Sequence, residues 1–431
     1  MSAKNIFFMK KIPVLIFILS VLLPGKSYSQ FEKNGGSVYS IFGLGDYNYS
    51  SSMRTDAMGV LGISLGGNYT NSLNPACWTR IPTTKFSTKF NFANTRSSDG
   101  TYTSNRSYAG FDGFNLSIPV NPSKGLILDL GLNTMTLVNY DIILRGSSLG
   151  ENYTQTYNGS GGISRISFGA SYEFFKTLDL GAQFNYAFGN ITKTNEIDFD
   201  NSSLFGTRNQ IITSYSGVYL NSGLLFHGFD KLFKSKKLSN LTLGAFFSTP
   251  GYLYTKLSGN FKRVTNTDSI DNLGSGKVKL PWSGGIGLTN EFSQFFIVSA
   301  DVFFQNWSSF QVTDTTGTTT HPPEIKNSLK AGIGMEFTPS RKFEASIYKR
   351  MSYRLGASYT QDYLKINGTS INAIGINAGL SIPLSMFNSL DLTFSYKTRG
   401  TTTNGLVKDN VYGIGASINI GELWFLKPKG E

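Results

Sequence analysis

The feature that most constrains this chain is a two-residue alternation sustained over unusually long runs. Leu390, Leu392, Phe394 and Tyr396 share one face of an extended segment, and Asp391, Thr393, Ser395 and Lys397 share the other. The pattern recurs at Tyr412–Ile420, Leu329–Phe337 and Leu180–Phe188, and it is the pattern of a half-buried strand. Strands of soluble proteins average about five or six residues. Many runs here reach about ten, the length of a tilted strand that crosses a bilayer. The expected fold class is all-β: a transmembrane antiparallel β-barrel.

Composition agrees. Aromatic residues make up 14% of the chain, with 34 Phe, 22 Tyr and 47 Gly, and only 15% of residues are charged, against about 25% in soluble domains. Mean hydropathy is nevertheless −0.13, too low for a helical membrane protein. A barrel with one lipid-facing and one wet face produces this combination. Cys77 is alone, so no internal disulfide forms, and the two histidines, His227 and His321, are too few for an ordinary histidine metal site. The net charge of +12 is spread along the chain, which points to membrane lipid rather than nucleic acid. Its densest run, Lys231, Lys234, Lys236 and Lys237, is read either as a solvated turn or as a contact with lipid headgroups or a protein partner.

Strand runs begin near Thr84, Ser107, Leu126, Ile163, Leu178, Gln210, Leu241, Val278, Phe295, Ile325, Phe343, Ser370, Leu390 and Val411. That is about fourteen, an even number as in single-chain bacterial barrels. Short connections (121–125, 176–179, 338–341, 386–388) are expected on one side and long ones (146–160, 262–277, 312–324) on the other. Residues 1–29 read as a signal peptide: Lys10 and Lys11, an apolar run from Ile12 to Leu23, and Ser27-Tyr28-Ser29 before Gln30. The expected organisation is a signal peptide (1–29), an N-terminal hatch (30–82), a barrel (83–422) and a periplasmic tail (423–431), in the outer membrane of a Gram-negative bacterium.

Residues 31–82 do not alternate, yet they carry Ile41, Phe42, Leu44, Met58, Val60, Leu61, Ile63, Leu65, Leu73 and Trp78. These need a place to be buried, and a lumen of about fourteen strands is wide enough to need filling. Glycines on the polar strand faces leave room for such a hatch. An Ala57-Met58-Gly59 stretch followed by Asn74-Pro75-Ala76, ahead of about fourteen strands, resembles the FadL/TodX (OmpP1-like) group of outer-membrane transporters. The ending, with Trp424 and Phe425 before basic residues, is similar to FadL-like barrels of Bacteroidetes-type bacteria. The resemblance implies that Met58, Gly59, Asn74, Pro75 and Ala76 form the hatch motif. It also implies a lateral opening beside the third strand, near Gly131 and Asn133.

No catalytic constellation, metal site or cofactor motif emerges. Asp129, Asp179, Asp301 and Asp391 fall on lumen faces, where they form a paired acid/base site, hydrogen-bond within the lumen, or pair with Lys330, Lys349 and Lys397. Gly284-Gly285-Ile286-Gly287 lacks the lysine and helix of a phosphate loop. Two functions stand open. One is a channel for a small hydrophobic, fatty-acid-like or lipid-like molecule. The other is a non-transporting barrel that serves as a subunit of an outer-membrane secretion or barrel-assembly complex, with Trp424, Phe425 and the lysines of 231–237 as contacts.

Overall fold

The computed structural model describes residues 36–148, 150–201, 203–262 and 267–423. The expected signal peptide, Trp424 and Phe425 lie outside these. The described chain forms a closed antiparallel barrel of 14 strands. In chain order they are β1 (Thr84–Ser98), β2 (Thr103–Asn121), β3 (Leu126–Ser148), β4 (Glu151–Phe174), β5 (Leu178–Phe199) and β6 (Thr207–Phe226). There follow β7 (Leu241–Ser248, continuing as Gly251–Lys262), β8 (Thr267–Leu280, continuing as Ser283–Ser293) and β9 (Phe296–Gln305, continuing as Gln311–Thr313). The last five are β10 (Ser328–Phe337), β11 (Ser352–Ile366), β12 (Thr369–Pro383), β13 (Ser389–Gly400) and β14 (Lys408–Glu422). Closure is a full ladder from Lys408↔Ser98 to Glu422↔Thr84, which leaves neither terminal strand with a free edge there.

The alternation places apolar side chains outward and polar ones inward. On β1, Phe86, Phe90 and Phe92 are exposed, while Lys85, Ser87 and Lys89 are buried. On β10 and β12, Ile333, Ile374 and Ile376 are exposed beside buried Glu336 and Ser381. An apolar outer face around a polar interior is the reverse of a soluble fold and suits lipid outside. Among the described residues no helix is long and apolar enough to cross a membrane.

Two expectations about connections are corrected. Residues 151–160 and 267–277, read as loops, continue the ladders: β3 and β4 stay paired up to Ser148↔Glu151. These stretches lie beyond the roughly 9–11 residues a bilayer needs. Both faces there are wet, so the ladder persists without an apolar alternation to mark it. Conversely, the 338–341 turn is part of a longer connection, 338–351, which holds a helical turn at Ile347–Arg350; β11 therefore starts at Ser352 rather than near Phe343. The connection 227–240 likewise folds into helical turns at Phe229–Leu232 and Lys236–Leu238.

Strands β7, β8 and β9 break at adjacent positions, around Pro250, Pro281 and 306–310. Proline has no N–H for the ladder. Thr249 repairs one break: its N–H donates to the Leu220 carbonyl, and its Oγ1 accepts from the Leu220 N–H. Trp307 turns inward at the third break, is fully buried, and stacks on Tyr363 with centroids 4.3 Å apart.

Strands β2 and β3 part. Their ladder ends at Gly113↔Asn133, and among the described residues no pair joins them beyond it. Gly113 sits at φ +133 with the space of a Cβ filled by the Leu132 carbonyl oxygen, 2.1 Å away, so only glycine fits where the strands separate. Past this point the edge of β3 is partly taken by the N-terminal segment: Asp46↔Leu137 and Tyr47↔Thr136 pair there, and the Asn139 N–H donates to Ser40.

Candidate functional site: the lumen and the segment 36–82

The segment that precedes β1 is built from short capped turns. Ser52 caps the helix Met53–Ala57 in a reciprocal capping box with Thr55. Asn74 caps the turn Pro75–Arg80, its Oδ1 accepting from the Ala76 N–H at 3.0 Å. The Trp78 indole N–H donates to the Asn71 carbonyl at 2.7 Å, and the Asn71 amide donates to the Gly62 carbonyl at 2.7 Å. Each of these polar groups satisfies backbone that would otherwise be orphaned. Met58, Ala76 and Trp78 are fully buried, as are Asn74 and Cys77.

Inward-facing wall residues hold this segment at many points. Asp301 of β9 accepts from the Leu61 and Gly62 N–H groups, each at 2.8 Å. Thr79 donates to Asp179 at 2.9 Å, Ser64 and Thr289 bond at 2.7 Å, and Asn74 donates to the Ala245 carbonyl at 3.3 Å. Wall glycines provide clearance. A Cβ on Gly356 would stand 1.8 Å from the Met58 carbonyl oxygen, and one on Gly223 would stand 1.7 Å from Asn74 Oδ1. Gly59 itself adopts φ +66.

The strongest tie is ionic. Arg54 donates from Nε and Nη2 to the two oxygens of Glu336 on β10, at 2.8 and 2.9 Å. Arg354 on β11 donates to the same carboxylate at 2.8 Å, reaches Asp391 at 3.3 Å, and donates to the Tyr69 hydroxyl at 2.7 Å. Both guanidiniums approach the Tyr69 ring, 4.8 and 5.3 Å from its centroid. All four charged groups are buried. A second junction joins Arg399 to Asp46 (2.7 Å) and Asp362. Burial raises the Asp56 carboxyl above its ordinary value, against the pull of Lys89. Burial likewise pushes the Cys77 thiol well up, so it is a packed small residue rather than a nucleophile.

Where the lumen is apolar, the chain fills it. Tyr39 and Leu44 pack with Trp307, Phe310, Tyr363 and Leu406 in one cluster. What remains open is a cavity of about 400 Å³ whose wall sets Asp56, Asp112, Lys330, Asp362, Lys397 and Arg399 among apolar surface; it reaches the parting of β2 and β3 at Tyr108 and Leu137. A cavity of about 60 Å³ lies among Tyr49, Met135, Phe246 and Phe303.

The four lumen aspartates hydrogen-bond within the lumen, one of the expected alternatives, and among the described residues none forms an ion pair with Lys330, Lys349 or Lys397. Asp129 accepts from Ser117 and Asn115, Asp179 from Thr79, Asp301 from backbone, and Asp391 from Asn419 while facing Arg354. Lys349 lies on the 338–351 connection. His227 approaches Asp179 at 3.7 Å, and His321 Nδ1 lies 2.7 Å from the Phe310 carbonyl. Among the described residues no cluster could hold a metal ion. Gly131 sits in regular ladder, paired with Asn115 and Ser167, and Asn133 closes the last β2–β3 pair, buried with its amide lacking a protein partner. The sequence reading passed over Glu336, Arg354 and Arg399. Their signal was charge on strand faces that point inward: Glu336 shares its face with Lys330, and Arg399 shares its face with Asp391 and Lys397.

This geometry defines a class: a closed 14-strand antiparallel β-barrel with the FadL/TodX-type fold. The toluene transporter TbuX of Ralstonia pickettii superposes with a TM-score of 0.58 at 14% identity, covering 86% of this chain and 98% of that one. A Pseudomonas aeruginosa FadL homologue gives 0.56 at 12% identity (87% and 98%), and the toluene transporter TodX of P. putida gives 0.54 at 15% (88% and 100%). No curated protein sequence gives a significant match. The chain belongs to the BamG family, whose sequence model matches residues 8–431.

Proposed function

We propose that this barrel is a non-transporting subunit of an outer-membrane assembly complex, barrel assembly being the process that the family's name suggests. One observation carries the reading. The apolar cluster in the lumen is made by the chain's own residues, the N-terminal segment is tied to the wall by a buried ion-pair network, and the remaining cavity has six charged side chains in its wall. A channel for a hydrophobic molecule calls for a mostly apolar pocket with a few placed polar groups. In this reading the described part of the expected 30–82 hatch, residues 36–82, is fixed in place, with Met58, Gly59, Asn74, Pro75 and Ala76 at its packed centre. The family match spans nearly the whole chain, whereas the likeness to the toluene transporters is one of fold.

A second reading, a channel for a small lipid-like molecule, is favoured by the parting of β2 and β3 beside Asn133. Native mass spectrometry of the protein, extracted gently from its own outer membrane, separates the two. A stoichiometric protein complex with an empty lumen is the expected result. A discrete lipid-sized mass with no protein partner would overturn it and identify the ligand by mass. In that case Gly131→Val, which crowds Asn115 and Ser167, should impair uptake.

A further inference from the structure

One end of the barrel, where β1 begins and β14 ends, carries four connections joined into an arc. The His227 N–H donates to the Thr177 carbonyl, the Glu291 N–H to the Asn240 carbonyl, and the Thr338 N–H to the Phe295 carbonyl. The arc therefore runs without interruption from the β4–β5 turn through 227–240 and the β8–β9 turn to 338–351. Two of its members are longer than a hairpin needs. Both fold into helical turns held by their own bonds, such as Phe233 N–H to Phe229 carbonyl and Met351 N–H to Ile347 carbonyl.

The arc is strongly cationic. Lys231, Lys234, Lys236 and Lys237 are exposed on one long connection, and Arg341, Lys342 and Lys349 are exposed on the other. Among the described residues none of these seven takes part in an ion pair. The acids on the two connections are Asp230 and Glu344. Apolar side chains stand exposed between the cations: Phe175 (86%), Phe343 (73%), Tyr348 (72%), Leu232 (64%) and Phe233 (62%). Phe229 and Phe233 stack, and Arg350 lies over the Phe343 ring.

The geometry points to the arc 227–240 and 338–351 as the docking surface for an acidic protein partner, a surface with apolar anchors set in a basic field. This rests on the reading of the barrel as a complex subunit. Three arguments select a protein. First, like charges on one small frame repel, and the two acids on these connections fall well short of the seven unpaired cations, so most of the charge complementarity must come from outside. Second, the cations sit on turns already folded by their own hydrogen bonds. That lowers the ordering cost of a specific interface, whereas attraction to headgroups needs no such frame. Third, exposed aromatics interleaved with basic residues are the composition of an interface centre with its rim.

Site-specific photo-crosslinking in the native outer membrane tests this, with the photoreactive residue at Phe233 and, as a control at the opposite end, at Thr402. The expected result is one protein adduct at 233, absent at 402, whose crosslinked peptide is acidic. The adduct should fall by about tenfold or more in K231E/K234E/K236E/K237E and return when the partner's acids are reversed to lysine. Folding of the variant is checked by heat-modifiable gel mobility; if it fails, the charge-neutral glutamine version replaces it. Adducts confined to phospholipid, or a protein adduct indifferent to charge reversal, would overturn the arc. A stoichiometric complex that survives charge reversal would leave the subunit reading standing and remove this surface from it; no complex at all would remove both.

Discussion

Arg54 and Glu336 lie 282 positions apart in the chain and meet in a buried two-point ion pair, 2.8 and 2.9 Å long, that fastens the N-terminal segment to the barrel wall. Glu336 also receives Arg354, so one carboxylate is shared by two guanidiniums, and Asp391 supplies the second negative charge. Removing it leaves two buried cations with only Asp391 nearby. Breaking such a pair costs about 3–5 kcal/mol. Glu336→Ala should therefore destabilise the attachment by that order. Limited proteolysis should cut within 36–82 while gel mobility reports an intact barrel. Arg54→Met in the same background should add little, because the two changes remove one shared interaction; full additivity would contradict the network.

Gly356 is a steric test of the same attachment. A side chain there meets backbone, the Met58 carbonyl oxygen, rather than a flexible tip. Gly356→Val should displace the turn at Met58 and Gly59 and expose the segment to protease, with the β10–β11 ladder retained. A variant with wild-type protection would show that the segment can shift without cost.

Cys77 reports on the segment from within. It is fully buried, its thiol is raised by burial, and it contacts the carbonyls of Gly62 and Ile63 at 3.6 and 3.7 Å. The native protein should resist maleimide, and the unfolded protein should take up one equivalent, measured by intact mass. Glu336→Ala should label at a rate between the two.

The parting of β2 and β3 makes a sharp prediction about pairing. Phe114 and Leu132 are ladder partners, whereas Arg106 and Tyr140 would be partners only if the register continued past Gly113. A cysteine pair at 114 and 132 should form a disulfide on mild oxidation and a pair at 106 and 140 should not, since bridging requires Cα atoms within about 7 Å. Equal crosslinking of both pairs would mean that the strands zip together in the membrane.

Much of the architecture could be read from the chain because the barrel's signal is local and repeats. Phe90 and Phe92 against Lys89 and Asn91, or Ile333 against Gly332 and Gly334, announce a strand with one lipid face wherever they occur. The count of strands follows from their number, and the non-alternating, apolar stretch 31–82 announces something to be enclosed. That signal fades where the strand leaves the bilayer, as in 151–160 and 267–277, because both faces then meet water and neither needs to be apolar.

The partners of individual polar groups were not legible in this way. A strand's alternation says that Asp301, Glu336 and Asp391 point inward, but not what they meet. That is set by the tilt and stagger of the closed barrel and by the path of the enclosed segment. Closure brings Asp301 onto the amides of Leu61 and Gly62, Glu336 onto Arg54, and Asp391 onto Arg354. The chain by itself determined that a barrel would form and which face of each strand would be apolar, since these follow from period and composition. The tertiary structure alone decided which charges neutralise one another, where β2 and β3 part, and which turns join into one cationic arc, since each depends on residues brought together only when the last strand pairs with the first.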